Sequence, residues 1–320
     1  MLVALVSIGE LLRYPGQPRK RLSLVAEGAN LECVSADGEK FPVVAGQPVL
    51  IDFTESLCRR EWFATARKTV SVIGERPNLA RTIKGTLTGS RRTSRESILR
   101  FKHLLPMCPV VLMVGAGTMG AGCEALYENQ DVRQIAFDIY PSNLTQFVAD
   151  AHQIPLADNS VDGVIIQAVL EHVLEPGAVV AEIYRVLKPG GIVYAETPFM
   201  QQVHEGAYDF TRFTELGHRW LWRQFEEIDR GVIGGPGLSL YWSARYFCRA
   251  VIGRQRLADA ISFPLIGLSI FDRFLSLNKK IEGANGVRFL GRKVDRSLPR
   301  ETLISCYLGS APTALTDLRR

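Results

Sequence analysis

Between residues 201 and 213, in QQVHEGAYDFTRF, His204, Glu205, Asp209 and Arg212 fall within nine residues, interleaved with Tyr208, Phe210 and Phe213. An imidazole with a near-neutral pKa can take a proton from a hydroxyl, and a carboxylate can orient it or hold a guanidinium. His204 is the expected general base, with Asp209 orienting either it or Arg212. An internal Asp209–Arg212 salt bridge that fixes the loop is the competing reading, and both can hold. His172, in LEHV, is a further imidazole that either touches substrate or shapes a pocket. A second constellation lies upstream: VVLMVGAGTMGAG at 110–122, with Asp138 following in IAFDIYP. An apolar run ending in Gly115-Ala116-Gly117 is a buried strand turning sharply into a helix. Its glycines let backbone approach a ligand where a Cβ would collide. An acidic residue about twenty positions on is placed to accept hydrogen bonds from ribose hydroxyls. Together these features call for an adenosine-type cofactor. The glycine pattern alone fits nicotinamide enzymes equally well.

These groups need a scaffold that brings strand ends together. From about residue 109 onward, apolar strands alternate with amphipathic stretches, the pattern of a parallel sheet with helices on both faces. Strands are expected at Val110–Val114, Gln134–Asp138, Val161–Gln167 and Gly191–Glu196, and helices at Ala121–Asn129, Ser142–Ala149 and Gly177–Leu187. Lys188-Pro189-Gly190-Gly191 stops the last helix and starts the strand. Asp162 reads as structural, paired with backbone in the turn before its strand. Segment 286–294, GVRFLGRKV, is a candidate late strand, with Thr302–Leu308 competing for the role.

Between Asp138 and Phe199 the chain reads DAHQIPLADNSVDGVI, then LKPGG and ETPF. With the glycine turn, these segments resemble class I S-adenosylmethionine-dependent methyltransferases of the broad type 11 group, over roughly Met107–Phe199. The resemblance implies a doubly wound, mostly parallel Rossmann-like α/β sheet that binds S-adenosylmethionine. It implies that Gly115 and Gly117 lie against the methionine and ribose parts, and that Asp138 holds the ribose. Asp150 with Ala151 would face the adenine amino group, with a helix cap as the alternative role for Asp150. Gln167 would sit near the methionine end. Strings similar to the HEG-x-YDF-x-RFT segment occur in methyltransferase-like proteins of bacterial surface-polysaccharide gene sets.

Three zones follow. Residues 1–55 are short strand-like pieces that resemble the small zinc ribbon preceding some methyltransferases. Tyr14 and Gln17 stand where one thiolate pair belongs, and Ala36 replaces the partner of Cys33, so the ribbon is expected to have lost its metal. Residues 56–108 are a basic, partly helical linker, with twelve Lys/Arg against three Glu between Arg59 and Lys102. Residues 109–320 form the methyltransferase domain, with an apolar, Arg-punctuated helical insertion at about 236–284. That insertion packs as a lid or rests on a membrane surface.

The chain of 320 residues carries a net charge of +5, and its six cysteines show no paired short spacing. These features suit a cytoplasmic protein with reduced thiols, peripheral to a membrane at most. No His/Cys/carboxylate cluster has ligand spacing, so no metal is expected in the catalytic part. The implied activity is methyl transfer to a small-molecule or glycan acceptor, as oxygen on a sugar, glycolipid or related envelope metabolite. RNA or protein methylation, with nucleic acid as the less favoured partner, and a non-catalytic cofactor- or partner-binding module are the alternatives.

Overall fold

The computed structural model describes residues 4–27, 30–65 and 89–310. Residues 66–88 of the basic linker lie outside the described residues, after α1 (Arg60–Thr65). Near the N-terminus, β1 (Arg13–Tyr14), β2 (Gln17–Glu27) and β3 (Asn30–Ser35) form an antiparallel sheet in that order. The hairpin β4 (Val43–Val44) and β5 (Gln47–Leu50) turns on Ala45-Gly46, both at positive φ.

The main sheet adds seven strands: β6 (Val110–Val114), β7 (Arg133–Asp138), β8 (Phe147–Ala149), β9 (Val161–Gln167), β10 (Leu187–Pro198), β11 (Phe225–Ile233) and β12 (Gly286–Lys293). Its order is β11-β12-β10-β9-β6-β7-β8-β5-β4. The pairings from β10 across to β5 are parallel; β12 runs antiparallel to both β10 and β11, and β4 antiparallel to β5. This is the expected mostly parallel, doubly wound sheet. Segment 286–293 is the late strand, and 302–308 holds only short 3-10 turns.

Strand periodicity separates two cores. Along β6, Val110, Leu112 and Val114 face one layer, which also holds Val179, Val180, Ile183 and Val186 from α4 (Pro176–Val186). Val111 and Met113 face the other, with Ile98 and Phe101 from α2 (Ser90–His103). Covered on both faces, the strand is a continuous apolar run. The N-terminal pieces join the first of these cores: Ile8, Leu12, Leu22 and Cys33 are buried in it, and β5 extends the main sheet through β8. Burial pushes the Cys33 thiol up to about 12, so it packs there as a neutral apolar group.

Two helix expectations need correction. Ser142–Ala149 is not helical: its last three residues are β8, reached by a tight turn. Ser142 N–H donates to Thr145 Oγ1 at 2.9 Å and Leu144 N–H to Ser142 Oγ at 3.0 Å, local bonds that compete with a helix. Gln146 then pairs with β7, accepting from Ala136 N–H at 2.6 Å and donating to the Gln134 carbonyl at 2.8 Å. Its side chain adds ladder bonds beside its own backbone N–H, which donates to the Ala136 carbonyl at 3.0 Å. The helix expected at Ala121–Asn129 shrinks to α3 (Glu124–Tyr127), preceded by turns. By contrast α4 ends where the Lys188-Pro-Gly-Gly191 signal places the stop.

After α5 (Glu215–Leu221) and β11 the chain leaves the sheet for α6 (Pro236–Ile252), α7 (Gln255–Ser262), a 3-10 segment (Phe263–Arg273) and α8 (Leu277–Lys280) before returning as β12. Asp272 ties this insertion together by accepting from the N–H groups of Gly235, Gly237 and Leu238 at 2.8–3.1 Å. Among the described residues no helix is long and apolar enough to cross a membrane.

Candidate active site

The carboxyl ends of β6, β7, β8, β9 and β10 share one edge of the sheet, where ligands of open α/β sheets bind. Gly115 leaves β6 at φ +71, and a Cβ there would lie 2.2 Å from Val169 Cγ2. A Cβ on Gly117 would lie 2.4 Å from the Tyr140 ring. Both positions therefore exclude a side chain because of their own neighbours Val169 and Tyr140. Asp138, at the end of β7, accepts from Gly117 N–H and from Ile139 N–H, each at 2.7 Å. Burial raises its carboxyl to about 6 against the lowering effect of those two bonds. Oxygens so placed retain lone pairs for hydroxyl donors, which fits a ribose. Half-exposed Met119, Ile139 and Tyr140 rim the turn with apolar surface.

The remaining expected cofactor residues lie along the same edge. Asp150 caps the short turn at 151–153: it accepts from His152 N–H at 2.9 Å and His152 Nδ1 at 2.6 Å, and from the Ser56 hydroxyl. Burial opposes its ionisation, but the bonds from His152 and Ser56 hold it below its ordinary value. Ala151 beside it is buried. Gln167 ends β9 and tethers the glycine turn, donating to the Ala121 carbonyl at 3.1 Å and accepting from Cys123 Sγ at 3.0 Å. Asp162 accepts from Val110 N–H at 2.9 Å and Lys188 Nζ at 2.8 Å, the structural role expected of it.

Beyond Gln167 the backbone turns through Ala168 at φ +53, an uncommon conformation for a residue with a Cβ. That turn lays Val169 on Gly115 and brings Glu171 and His172 to the edge. The loop after β10 folds back onto them: Phe210 N–H donates to the Glu171 carbonyl at 2.7 Å. His204 Nε2 then lies 3.2 Å from His172 Nε2, while His172 Nδ1 meets the Tyr208 carbonyl at 2.6 Å. Asp209 accepts from His204 N–H at 2.9 Å, and His204 Nδ1 lies 3.3 Å from its Oδ2.

Arg212 forks onto both oxygens of Asp209 and donates to the carbonyls of Gln201 at 2.9 Å and Gln202 at 3.2 Å. It is a clamp on the loop. Burial raises Asp209, but its bonds to Arg212 and His204 bring it to about 2. Burial, then the neighbouring His172, keep the His204 imidazole below its usual value. So the three expected catalytic residues converge, with His204 innermost and Asp209 and Arg212 behind it.

Glu171 is the residue that sequence reasoning passed over. Its side chain is fully buried, neither oxygen has a hydrogen-bond partner, and desolvation lifts it to about 8. The only signal was its place beside His172, just past a strand end. A cavity of about 980 Å³ opens between α2, α3 and the insertion, and its lining includes Arg91, Arg95, Lys280 and Arg288. The insertion also touches the acceptor loop: Gln202 Nε2 donates to Ser243 Oγ at 3.0 Å, and the Tyr246 hydroxyl donates to the Val203 carbonyl.

The sheet is doubly wound and mostly parallel, with a glycine turn and a buried aspartate on adjacent strand ends. Residues 112–195 match the family described as a methyltransferase domain. A demethylmenaquinone methyltransferase of Symbiobacterium thermophilum is 31% identical over 93 residues, 29% of this chain and 34% of that protein. A ubiquinone/menaquinone biosynthesis C-methyltransferase of Desulfotalea psychrophila is 48% identical over 44 residues, 14% and 18% of the two chains. The chain thus spans about a third or less of the length of these curated relatives. Among solved structures, a SAM-dependent methyltransferase from Archaeoglobus fulgidus aligns at a TM-score of 0.42 with 14% identity, over 68% of this chain and all of that one.

Proposed function

We propose that the protein is an S-adenosylmethionine-dependent methyltransferase acting on an oxygen of an amphipathic acceptor, a glycolipid or related sugar-bearing envelope metabolite. The observation that carries this is the convergence of the Asp138–Gly117 cradle and the His172–His204 pair on one edge of the sheet. When bound, S-adenosylmethionine supplies a sulfonium methyl group: the acceptor oxygen–carbon bond forms as carbon–sulfur breaks, and the electron pair leaves on sulfur. Asp138 holds the ribose, Gly115 and Gly117 admit the cofactor to the backbone, and Gln167 keeps the turn in register. Displacement of this kind needs mainly positioning. The acceptor hydroxyl meets the imidazole pair, which manages its proton.

The acceptor class follows from the insertion. On α6, Leu240, Phe247 and Val251 share one exposed face, and Phe271 and Phe274 of the same insertion are exposed as well. Arg254, Arg256 and Lys279 of the insertion are exposed too. An insertion that exposes both apolar and cationic side chains suits an anionic lipid surface, so peripheral membrane contact is part of the proposal. Because α6 is bonded to the loop that carries His204, docking there would present a lipid-linked acceptor to the site.

Calorimetric titration with S-adenosylmethionine, with NAD as control, is the test. Micromolar binding of the first alone supports the reading; binding of neither leaves a partner-binding module, and binding of NAD alone overturns the cofactor assignment. An acceptor screen of envelope glycolipids against RNA and protein then follows. Strongly salt-dependent RNA methylation would move the acceptor to nucleic acid.

A further inference from the structure

We propose that Glu171, His172 and His204 form a binding site for one divalent first-row transition-metal ion of the zinc type. His172 and His204 are 32 residues apart, which is why spacing along the chain gives no metal pattern. In space, their Nε2 atoms are 3.2 Å apart, and Glu171 Oε1 lies 3.6 Å from His172 Nε2 and 3.7 Å from His204 Nε2. A triangle with these sides has a circumradius of about 2.0 Å, the length of zinc–nitrogen and zinc–oxygen bonds. A single ion can therefore touch all three atoms with little side-chain movement.

The protons argue the same way. His172 Nδ1 faces the Tyr208 carbonyl at 2.6 Å, and His204 Nδ1 lies 3.4 Å from the Gln202 carbonyl and 3.3 Å from the Asp209 carboxylate, with the Gln201 amide nitrogen also at 3.4 Å. With each Nδ1 as the N–H end toward these oxygens, both Nε2 atoms are left with lone pairs. The third member, Glu171, is fully buried with no donor on either oxygen. Three potential ligand atoms surround one point, and a cation that displaces the Glu171 proton would complete them. The outer groups also match a metal centre, where ligating imidazoles donate their other N–H to a carbonyl or carboxylate. Arg212 holds that carboxylate in place. Two nitrogens and one oxygen favour zinc, cobalt, iron or manganese over magnesium or calcium.

What the ion would do rests on the methyl-transfer reading. Three protein ligands leave positions open, and an acceptor hydroxyl bound there would lose its proton to solvent more readily than when free. His204 then acts as a ligand, and direct proton abstraction by it is replaced.

The test uses the full chain after chelator treatment, titrated with Co²⁺ while following visible ligand-field absorption, then with Zn²⁺ by competition. The expected result is one site per chain at micromolar affinity or tighter, displaced by Zn²⁺. Glu171→Gln, His172→Ala and His204→Ala should each weaken it at least tenfold, and Asp209→Asn by roughly 10–100-fold. Each variant's S-adenosylmethionine affinity, unchanged within about twofold, shows that it is folded. No cobalt binding by the wild type, or binding that survives His204→Ala, overturns the site. A shared proton in place of an ion would give the first of these results, and Mg²⁺ binding alone would overturn the metal class. Because cofactor binding is read separately, failure here leaves the methyltransferase reading standing, and failure of that reading leaves the metal titration interpretable.

Discussion

The glycine turn at 115–122 and the loop at 201–213 sit on the same edge of the same sheet, but they are held in different ways. Packing holds the first: a Cβ at Gly115 would reach within 2.2 Å of Val169, and one at Gly122 within 2.6 Å of the Arg95 backbone. Polar contacts hold the second, chiefly one guanidinium that gathers Asp209 and two carbonyls, with α6 bonded to its far side. Steric exclusion leaves one arrangement, whereas a hydrogen-bonded loop can be rebuilt for a different acceptor. The glycine-turn end is thus the fixed part of the molecule, and the 201–213 end, where the acceptor is proposed to bind, the adjustable part.

The sharpest test of the fixed part is Asp138→Ala. It removes both carboxylate oxygens that face the ribose position and leaves Gly117 N–H without its acceptor. Hydrogen bonds to charged groups contribute about 1.5–3 kcal/mol each, so S-adenosylmethionine affinity should fall at least 100-fold by calorimetry. Affinity within threefold of wild type would move the cofactor elsewhere. In the adjustable part, Arg212→Lys keeps the charge but loses the planar fork that spans Asp209 and two carbonyls. Turnover should drop roughly 10–100-fold with cofactor affinity unchanged within twofold. A matching loss of cofactor affinity would mean that the two regions are one.

The same contrast explains what the sequence reveals. Strands 110–114 and 161–167 have the bounds their apolar runs predict, because each is buried on both faces by neighbours that the pattern itself implies. The place of Asp138 at a strand end was legible because its apolar run ends there. The 142–149 segment was not: three buried residues carry no usable period, and Gln146 completes the ladder with a side chain, which no periodicity encodes. Glu171 stayed hidden for a related reason. Its chemistry comes from burial and from a loop more than thirty residues later, and neither is written near it.

Asp138 also yields a pH signature that separates the two regions. Its folded carboxyl sits near 6, above the ordinary value of 3.8, because it is buried. Between about pH 4 and 6 the folded state holds more proton than the unfolded state, so this group's contribution to stability is present at low pH and is lost as pH rises through 6. Ribose hydroxyls need the carboxylate, so cofactor affinity should fall as pH drops through 6, by up to about tenfold per unit. The two quantities therefore move in opposite directions across that window. Asp138→Asn should flatten both slopes. If affinity keeps its slope in that variant, another group titrates at the cofactor.

The smallest expected effect tests whether the insertion reaches the loop at all. Asp259, on α7, accepts from Arg245 at 2.9 Å and from Arg249 at 2.7 and 2.8 Å, both on α6. Bonds to Arg249 and then Arg245 hold its carboxyl well below the usual carboxylate range. That contribution to stability is present above about pH 4 and is lost as pH falls. The group is about a third exposed, at 35%, so screening limits its worth to below about 1 kcal/mol. Asp259→Asn should leave overall stability and cofactor affinity nearly unchanged. It should speed amide exchange in 236–262 and, through the Ser243 and Tyr246 bonds, raise the acceptor KM about two- to fivefold. Faster exchange with an unchanged KM would make the insertion a passive cover, since its mobility would then have no bearing on the residues that meet the acceptor.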